Sequence, residues 1–305
     1  MSFLYFLEGL RNPFLDAFFS TITHLGEETF FIVLGLVVFW CINKKEGYYL
    51  LSIGFIGTIV NQFLKLWFRI PRPWVKDKNF TIVESARAEA TGYSFPSGHT
   101  QSSVGIFGAF ARWHNRLWVR ITGIAICVLV PLSRMYLGVH TPADVLVSVV
   151  IALILIFGLY PLIQKCFDNT KVMRVLLLTM VLMSAGLLAF VSFYKFPADV
   201  DVSNLASGTK NAYKMLGCTL GIWIAFEVDN KYLHFETKAV IWAQILKFVL
   251  GIIPLLGIKE GLRIPLNAIF SGSYLADGVR YFLIVLFAGC IWPLTFKWFQ
   301  KLGNK

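Results

Sequence analysis

Residues 145–163, VLVSVVIALILIFGLYPLI, hold no charged side chain. Wound as a helix at about 1.5 Å per residue, a run of this length spans the roughly 30 Å hydrocarbon core of a bilayer. Lipid offers backbone N–H and C=O groups no water, so such a segment must satisfy them internally, as a helix does. Comparable runs recur along the chain at roughly 27–43, 47–68, 98–115, 117–135, 143–164, 172–194, 211–228, 238–257 and 275–298, giving nine expected spans. The expected fold class is all-α, a polytopic transmembrane helical bundle. Composition agrees: 57% of residues are hydrophobic and 15% charged, against about 25% charged in soluble domains.

The formal charge of +11 does not point to nucleic acid, because the basic residues sit between apolar runs rather than along one stripe. They read as membrane anchors. The five cysteines (Cys41, Cys127, Cys166, Cys218 and Cys290) include no close pair, so neither a metal site nor a disulfide framework is expected. The N-terminal stretch MSFLYFLEGLRNPFLDAFFSTITHLG has no basic leader and carries Glu8, Arg11 and Asp16 at helical spacing. It reads as an interfacial amphipathic helix broken near Pro13, with a short tilted span as the alternative.

Loops longer than about 12–15 residues are usually functional or disordered, and the longest early connection runs from Arg69 to Ser97. A second, 195–210, reads as an ordinary polar connection. Lys44 and Lys45, then Arg112, Arg116 and Arg120, then Lys165, Lys171 and Arg174, and the tail residues Lys297, Lys301 and Lys305 fall on one face. The bias of Lys and Arg toward cytoplasmic loops makes that face cytoplasmic and puts the long loop outside.

Three clusters share the outer face. In KLWFRIPRP, Lys65 ends a span and Arg72 is held on a stiff Pro-flanked turn. These are two cations able to clamp an anion, although by themselves they also fit snorkelling anchors. In TGYSFPSGHT, Pro96 and Ser97 precede a helix starting near Gly98. The first N–H groups of a helix bind anions, Gly98 permits close approach, and His99 can give or take a proton near neutral pH. A capped helix with a bystander histidine is the plainer alternative. In SRMYLGVHTPAD, Ser133 and Arg134 close one span, Thr141 is the expected N-cap of the next and Pro142 its first residue. Asp144 can then cap that helix in a T-x-x-D box, or turn to His140, fix its tautomer and sharpen the other nitrogen as a nucleophile.

Taken together, Lys65 with Arg72-Pro73, Pro96-Ser97-Gly98-His99, and Ser133-Arg134 with His140 and Asp144 resemble the three-part signature of the type 2 phosphatidic acid phosphatase superfamily, in order and with no departure. The match spans about 65–144. The resemblance implies a membrane lipid phosphatase core over residues 1–167; the apolar runs give additional C-terminal transmembrane helices, four spans in 168–305, on which the resemblance gives no guidance. It implies hydrolysis of a phosphate monoester or pyrophosphate of a lipid, a polyprenyl pyrophosphate or phospholipid phosphate, without metal or other cofactor. By that resemblance His140 is the nucleophile that becomes phosphohistidine, Asp144 orients it, and His99 is the acid and then the base. Lys65, Arg72, Arg134, Ser97 and the N–H of Gly98 hold the phosphoryl oxygens. The expected location is a bacterial cytoplasmic membrane, the site on its extracytoplasmic face. Two other functions would use the same residues: a lipid-linked phosphotransferase, or a non-catalytic lipid transporter or scaffold.

In the C-terminal part, Gly217 and Gly221 form a GxxxG suited to close helix packing. Lys247 falls mid-span, facing a cavity or partner unless the span boundaries shift. Glu227, Asp229 and Lys231 look like a turn.

Overall fold

The computed structural model describes residues 1–302, so Lys305 of the basic tail lies outside the described residues. Among the described residues the secondary structure is helical throughout, with no strand. The helices are α1 (Ser2–Gly9), α2 (Pro13–Thr23), α3 (Glu28–Val37), α4 (Lys44–Phe68), the single turn α5 (Pro73–Lys76), α6 (Gly98–Trp113), α7 (Leu117–Tyr136), α8 (Pro142–Cys166), α9 (Thr170–Phe193), α10 (Val202–Val228), α11 (Ile241–Gly261), α12 (Arg263–Ile269), α13 (Leu275–Leu286) and α14 (Phe296–Lys301).

Six of these segments are long and apolar enough to cross a membrane: Lys44–Lys76, Leu117–Tyr136, Pro142–Cys166, Thr170–Phe193, Ile241–Ile269 and Leu275–Lys301. A bent pair, Pro13–Gly26 with Glu28–Ile42, makes a seventh if counted as one span. The protein is therefore multi-pass, and among the described residues fewer segments meet this length and apolarity than the nine spans expected. Helix α6 has 16 residues, about 24 Å at 1.5 Å per residue, short of the hydrocarbon core. Helix α10 is long enough at 27 residues, but too polar. The 27–43 run qualifies only together with the helix before it.

The N-terminal segment is helical and breaks just before Pro13, into α1 and α2. Asn12 accepts a hydrogen bond from Leu15 N and Pro13 opens α2, the standard start of a new helix. Likewise 195–210 is not all connection. The Asp201 carboxylate accepts from Ser203 Oγ at 2.7 Å and Asn204 N at 2.9 Å, capping α10, which begins at Val202.

The chain forms two compact units that alternate along the sequence: residues 1–32, 56–161 and 195–208, and residues 33–55, 162–194 and 209–305. In the first, small residues let helices close on one another. A Cβ at Gly123 of α7 would stand 2.8 Å from the Phe107 carbonyl of α6, and one at Gly108 would stand 2.7 Å from Ile156 of α8. Helix α2 packs on α7 through Phe19 and Tyr136, ring centroids 4.4 Å apart, and Tyr136 Oη donates to Asp16 at 2.7 Å. Arg11 donates to the Tyr136 carbonyl and to Thr81, tying the N-terminus to the long loop. Beneath that loop lie two apolar clusters, Leu4 with Phe80 and Ile82, and Ala86 with Tyr136, Leu137 and Val139.

In the second unit the GxxxG packs as its spacing suggests: a Cβ at Gly217 would lie 2.1 Å from the Gly278 carbonyl of α13, and Gly221 faces Val285. Lys247 is 1% exposed. Its ammonium donates to Thr237 O at 3.0 Å and sits 4.5 Å from the Phe296 ring centroid, so its charge is met by a carbonyl and an aromatic face within the unit. Glu227 and Asp229 are not a simple turn. Helix α10 runs on through a wide turn, Asp229–Leu233, and the two carboxylates pair with Arg174 at 2.7 Å and Lys44 at 2.6 Å. All five cysteines are free thiols.

Candidate active site

Every residue singled out in the three clusters belongs to the first unit. Lys65 lies in the last turn of α4, where Pro71 and Pro73 forbid the helix to continue. Its ammonium is buried and donates to the Tyr93 carbonyl. Arg72 stands just ahead of α5. Its guanidinium donates from Nε to Gly92 O at 3.1 Å, from one terminal nitrogen to Thr91 O at 2.7 Å, and from the other to Val139 O and to His140 Nε2, both at 2.9 Å. Four of its five N–H groups thus have partners within the protein.

Helix α6 begins at Gly98, with Ser97 as N-cap: its Oγ accepts from Thr100 N at 3.3 Å. The backbone of Ser97 is also fixed, its N–H donating to Asp144 O at 3.1 Å and its carbonyl accepting Ser148 Oγ at 2.9 Å. Gly98 and His99 occupy the first turn, whose N–H groups have no acceptor within the helix. Burial, then the charges of Arg134, His140, Arg72 and Lys65, hold the pKa of His99 well below the usual imidazole range.

Arg134, fully buried near the end of α7, donates to Thr23 Oγ1 at 2.7 Å. Its Nε and second terminal nitrogen have no protein partner. The Arg134 carbonyl accepts from both Val139 N and His140 N at 3.1 and 3.2 Å, so the turn to His140 is folded back on the helix end. Gly138, at φ +82°, supplies the left-handed residue this reversal needs.

Asp144 caps its helix and also stands near His140. Its Oδ2 accepts from Thr141 N at 2.7 Å while Asp144 N donates to Thr141 Oγ1 at 3.3 Å, a reciprocal capping box. The same oxygen accepts from Ser94 Oγ at 2.6 Å and lies 3.5 Å from His140 Nδ1, within ion-pair range though longer than a hydrogen bond. A guanidinium can only donate, so its contact with His140 Nε2 assigns the lone pair to that nitrogen and the proton to Nδ1, facing the carboxylate. His140 lies in the turn between helices. Burial, then the cations Arg72, Lys65 and Arg134, hold its pKa well below the usual imidazole range, so the ring is neutral near pH 7.

The sequence reading missed Ser94, Thr23 and Ser148, along with the carbonyls of Thr91, Gly92 and Tyr93 that receive Arg72 and Lys65. The only signal in sequence is Gly92, at φ +70°, which lets the TGYS stretch turn its carbonyls onto the cations. Among the described residues no group of histidine, cysteine and carboxylate side chains is arranged to hold a metal ion.

Comparison with known proteins follows the same lines. Residues 45–168 match the PAP2 superfamily, and residues 213–305 match a PAP2 superfamily phosphatase, transmembrane extension. The chain is 30% identical over 174 residues to phosphatidylglycerophosphatase B of Bacillus subtilis, covering 52% of this chain and 78% of that one. It is 25% identical over 283 residues to sphingosine-1-phosphate phosphatase 2 of Mus musculus, covering 86% and 77%. It is 29% identical over 151 residues to an undecaprenyl-diphosphatase of Bacillus subtilis, covering 48% and 74%. No solved structure matches significantly. Signature residues gathered in one compact unit, a multi-pass helical fold and both family matches lead to one conclusion: the chain belongs to the PAP2 superfamily and is a membrane-spanning phosphatase, a phosphoric ester hydrolase.

Proposed function

We propose that the protein removes a phosphate from a membrane lipid, a phospholipid phosphate or a polyprenyl pyrophosphate, through a phosphohistidine at His140 and without a metal or other cofactor. The observation that most supports this is the pair of contacts on His140. Asp144 faces the protonated Nδ1, and Nε2 carries its lone pair toward Arg72. A neutral imidazole with an unprotonated Nε2 is the form a nucleophile needs.

In the first step Nε2 attacks phosphorus, the P–O bond to the lipid breaks, and His99, whose protonated form the negative charge of the bound phosphate favours, gives its proton to the departing oxygen. In the second, water attacks the phosphohistidine, the N–P bond breaks with its electron pair returning to Nε2, and His99 takes a proton from the water. Lys65, Arg72, Arg134, Ser97 and the N–H of Gly98 hold the phosphoryl oxygens through both steps. Phosphoryl transfer depends chiefly on positioning and charge stabilisation, which three cations and a helix N-terminus supply. Arg72 must exchange His140 Nε2 for a phosphoryl oxygen as substrate arrives, so the guanidinium that covers the nucleophile at rest becomes part of its binding site.

The substrates named in the relatives share a phosphate on an apolar body, which fits a site built among membrane helices. We take residues 1–167 as the catalytic core and 168–305 as its membrane extension. The basic residues of the opposite loops favour an extracytoplasmic site in a bacterial cytoplasmic membrane. The test is phosphate release over a panel of defined lipid phosphates in detergent, with His140→Ala as control. Release by the wild type and none by the variant is the expected result; turnover by the variant removes His140 from the chemistry.

A further inference from the structure

Helix α4 carries Gly57, Asn61 and Lys65 on one stripe, four residues apart, facing α6. Asn61 is 2% exposed, Gln101 4% and Thr100 fully buried. Neither amide atom of Asn61, neither amide atom of Gln101, nor Thr100 Oγ1 has a hydrogen-bond partner in the protein. Two facts place these groups together beside the reaction centre. The Gln101 amide lies against α4 at Gly57, where a Cβ would meet Nε2 at 2.9 Å. The Asn61 carbonyl oxygen lies 3.9 Å from where a Cβ of Gly98 would be, at the first turn of α6. Asn61 is one turn below Lys65, and Thr100 follows His99 directly.

Buried polar groups without partners are rare, and those that persist are commonly met by ordered water. This cluster is uncharged and mixes donors with acceptors. An anion would prefer the cations above it, whereas water, which both gives and receives, fits the set. Buried amides on facing helices that bond to no protein group are natural ligands for an ordered water.

We propose that Asn61, Gln101 and Thr100 form a water-holding pocket beneath the phosphoryl site that positions the water consumed in the second half-reaction. The inference rests on the phosphohistidine reading. The water oxygen forms the new bond to phosphorus as the N–P bond breaks and its electrons return to Nε2; one proton passes to His99 and the other stays on the phosphate. The three residues are positioning residues: they act on the water, not on the phosphorus.

The test separates the half-reactions by rapid quench with a ³²P-labelled short-chain lipid phosphate. Asn61→Leu and Gln101→Met remove the amides at similar volume. Either variant should form phosphoenzyme within about two-fold of the wild-type rate, lose it at least ten-fold more slowly, and hold a larger steady-state fraction phosphorylated. If both half-reactions slow together, or neither changes, the pocket does not serve the water. A second measurement needs no variant. In water–methanol mixtures the wild type should yield methyl phosphate well below the mole fraction of methanol; product in proportion to mole fraction overturns the proposal. If the wild type forms no acid-labile, base-stable phosphoenzyme, the phosphohistidine reading itself has failed, a different outcome.

Discussion

Asp144→Asn separates charge from shape at the nucleophile. Two donors converge on one carboxylate oxygen, Thr141 N and Ser94 Oγ, and His140 Nδ1 stands 3.5 Å from it. An asparagine will therefore turn its carbonyl to that position, since its NH₂ group would face only donors. The neutral contacts and the tautomer survive, and what disappears is the negative charge. As His140 becomes a phosphoimidazolium it gains a positive charge whose nearest counter-charge is 3.5 Å away. At an effective dielectric of about 20, a unit pair at that distance interacts by about 5 kcal/mol. Lost from the transition state alone, this lowers kcat by roughly 10³-fold or a little more. The same substitution removes a negative charge from a pocket of three cations, so anion binding should not weaken. The assay is steady-state hydrolysis of a short-chain lipid phosphate with vanadate as a competing anion. The expected result is a kcat loss near 10³-fold with vanadate inhibition as tight as before or tighter. A kcat within ten-fold of wild type, or vanadate binding lost in parallel with kcat, would refute this reasoning and leave Asp144 a helix cap.

Two further predictions follow. Burial and three cations hold the folded His140 well below the usual imidazole value near 6.5, so below that pH the unfolded chain takes a proton that the folded chain refuses. Stability should then fall on acidification from pH 7.5 to 5.5, by at most about 1.4 kcal/mol per pH unit from this group; the stability difference between wild type and His140→Gln should shrink over that window, and a flat difference contradicts the cause given. Gly217→Ala puts a methyl 2.1 Å from the Gly278 carbonyl, an overlap that α10 and α13 can relieve only by separating. The expected loss is about 1–3 kcal/mol, read as a lower Tm in detergent, and an unchanged Tm rules the contact out as a close one.

The site was legible in sequence because its residues sit where local rules are strict. Prolines stop α4, Ser97 caps α6, and Thr141 and Asp144 box the start of α8. Such signals need no knowledge of the fold. Ser94 and Thr23 carried none: each matters only because the chain returns to bring it against Asp144 or Arg134, 50 and 111 residues away. The general class of fold was equally plain from apolar runs, but the number of crossings was not. Helix α6 reads as a span because it is apolar, and its length falls short because Ser97 starts it and the chain leaves helix at His114. Helix α10 starts early because Asp201 caps it, a contact hidden inside a stretch that otherwise looks like loop.

Gly138 gives the signature a condition that its spelling omits. The five residues between Arg134 and His140 pass for a spacer, yet a Cβ at Gly138 would collide with Arg11 at 2.8 Å, Phe80 at 3.0 Å and the Thr81 carbonyl at 3.1 Å. The bend that aims the nucleophile is thus moulded against the first dozen residues and the middle of the long loop. A fragment starting at α4 would spell the family's three words without fault and still lack Arg11, one wall of the mould in which the last of them is shaped.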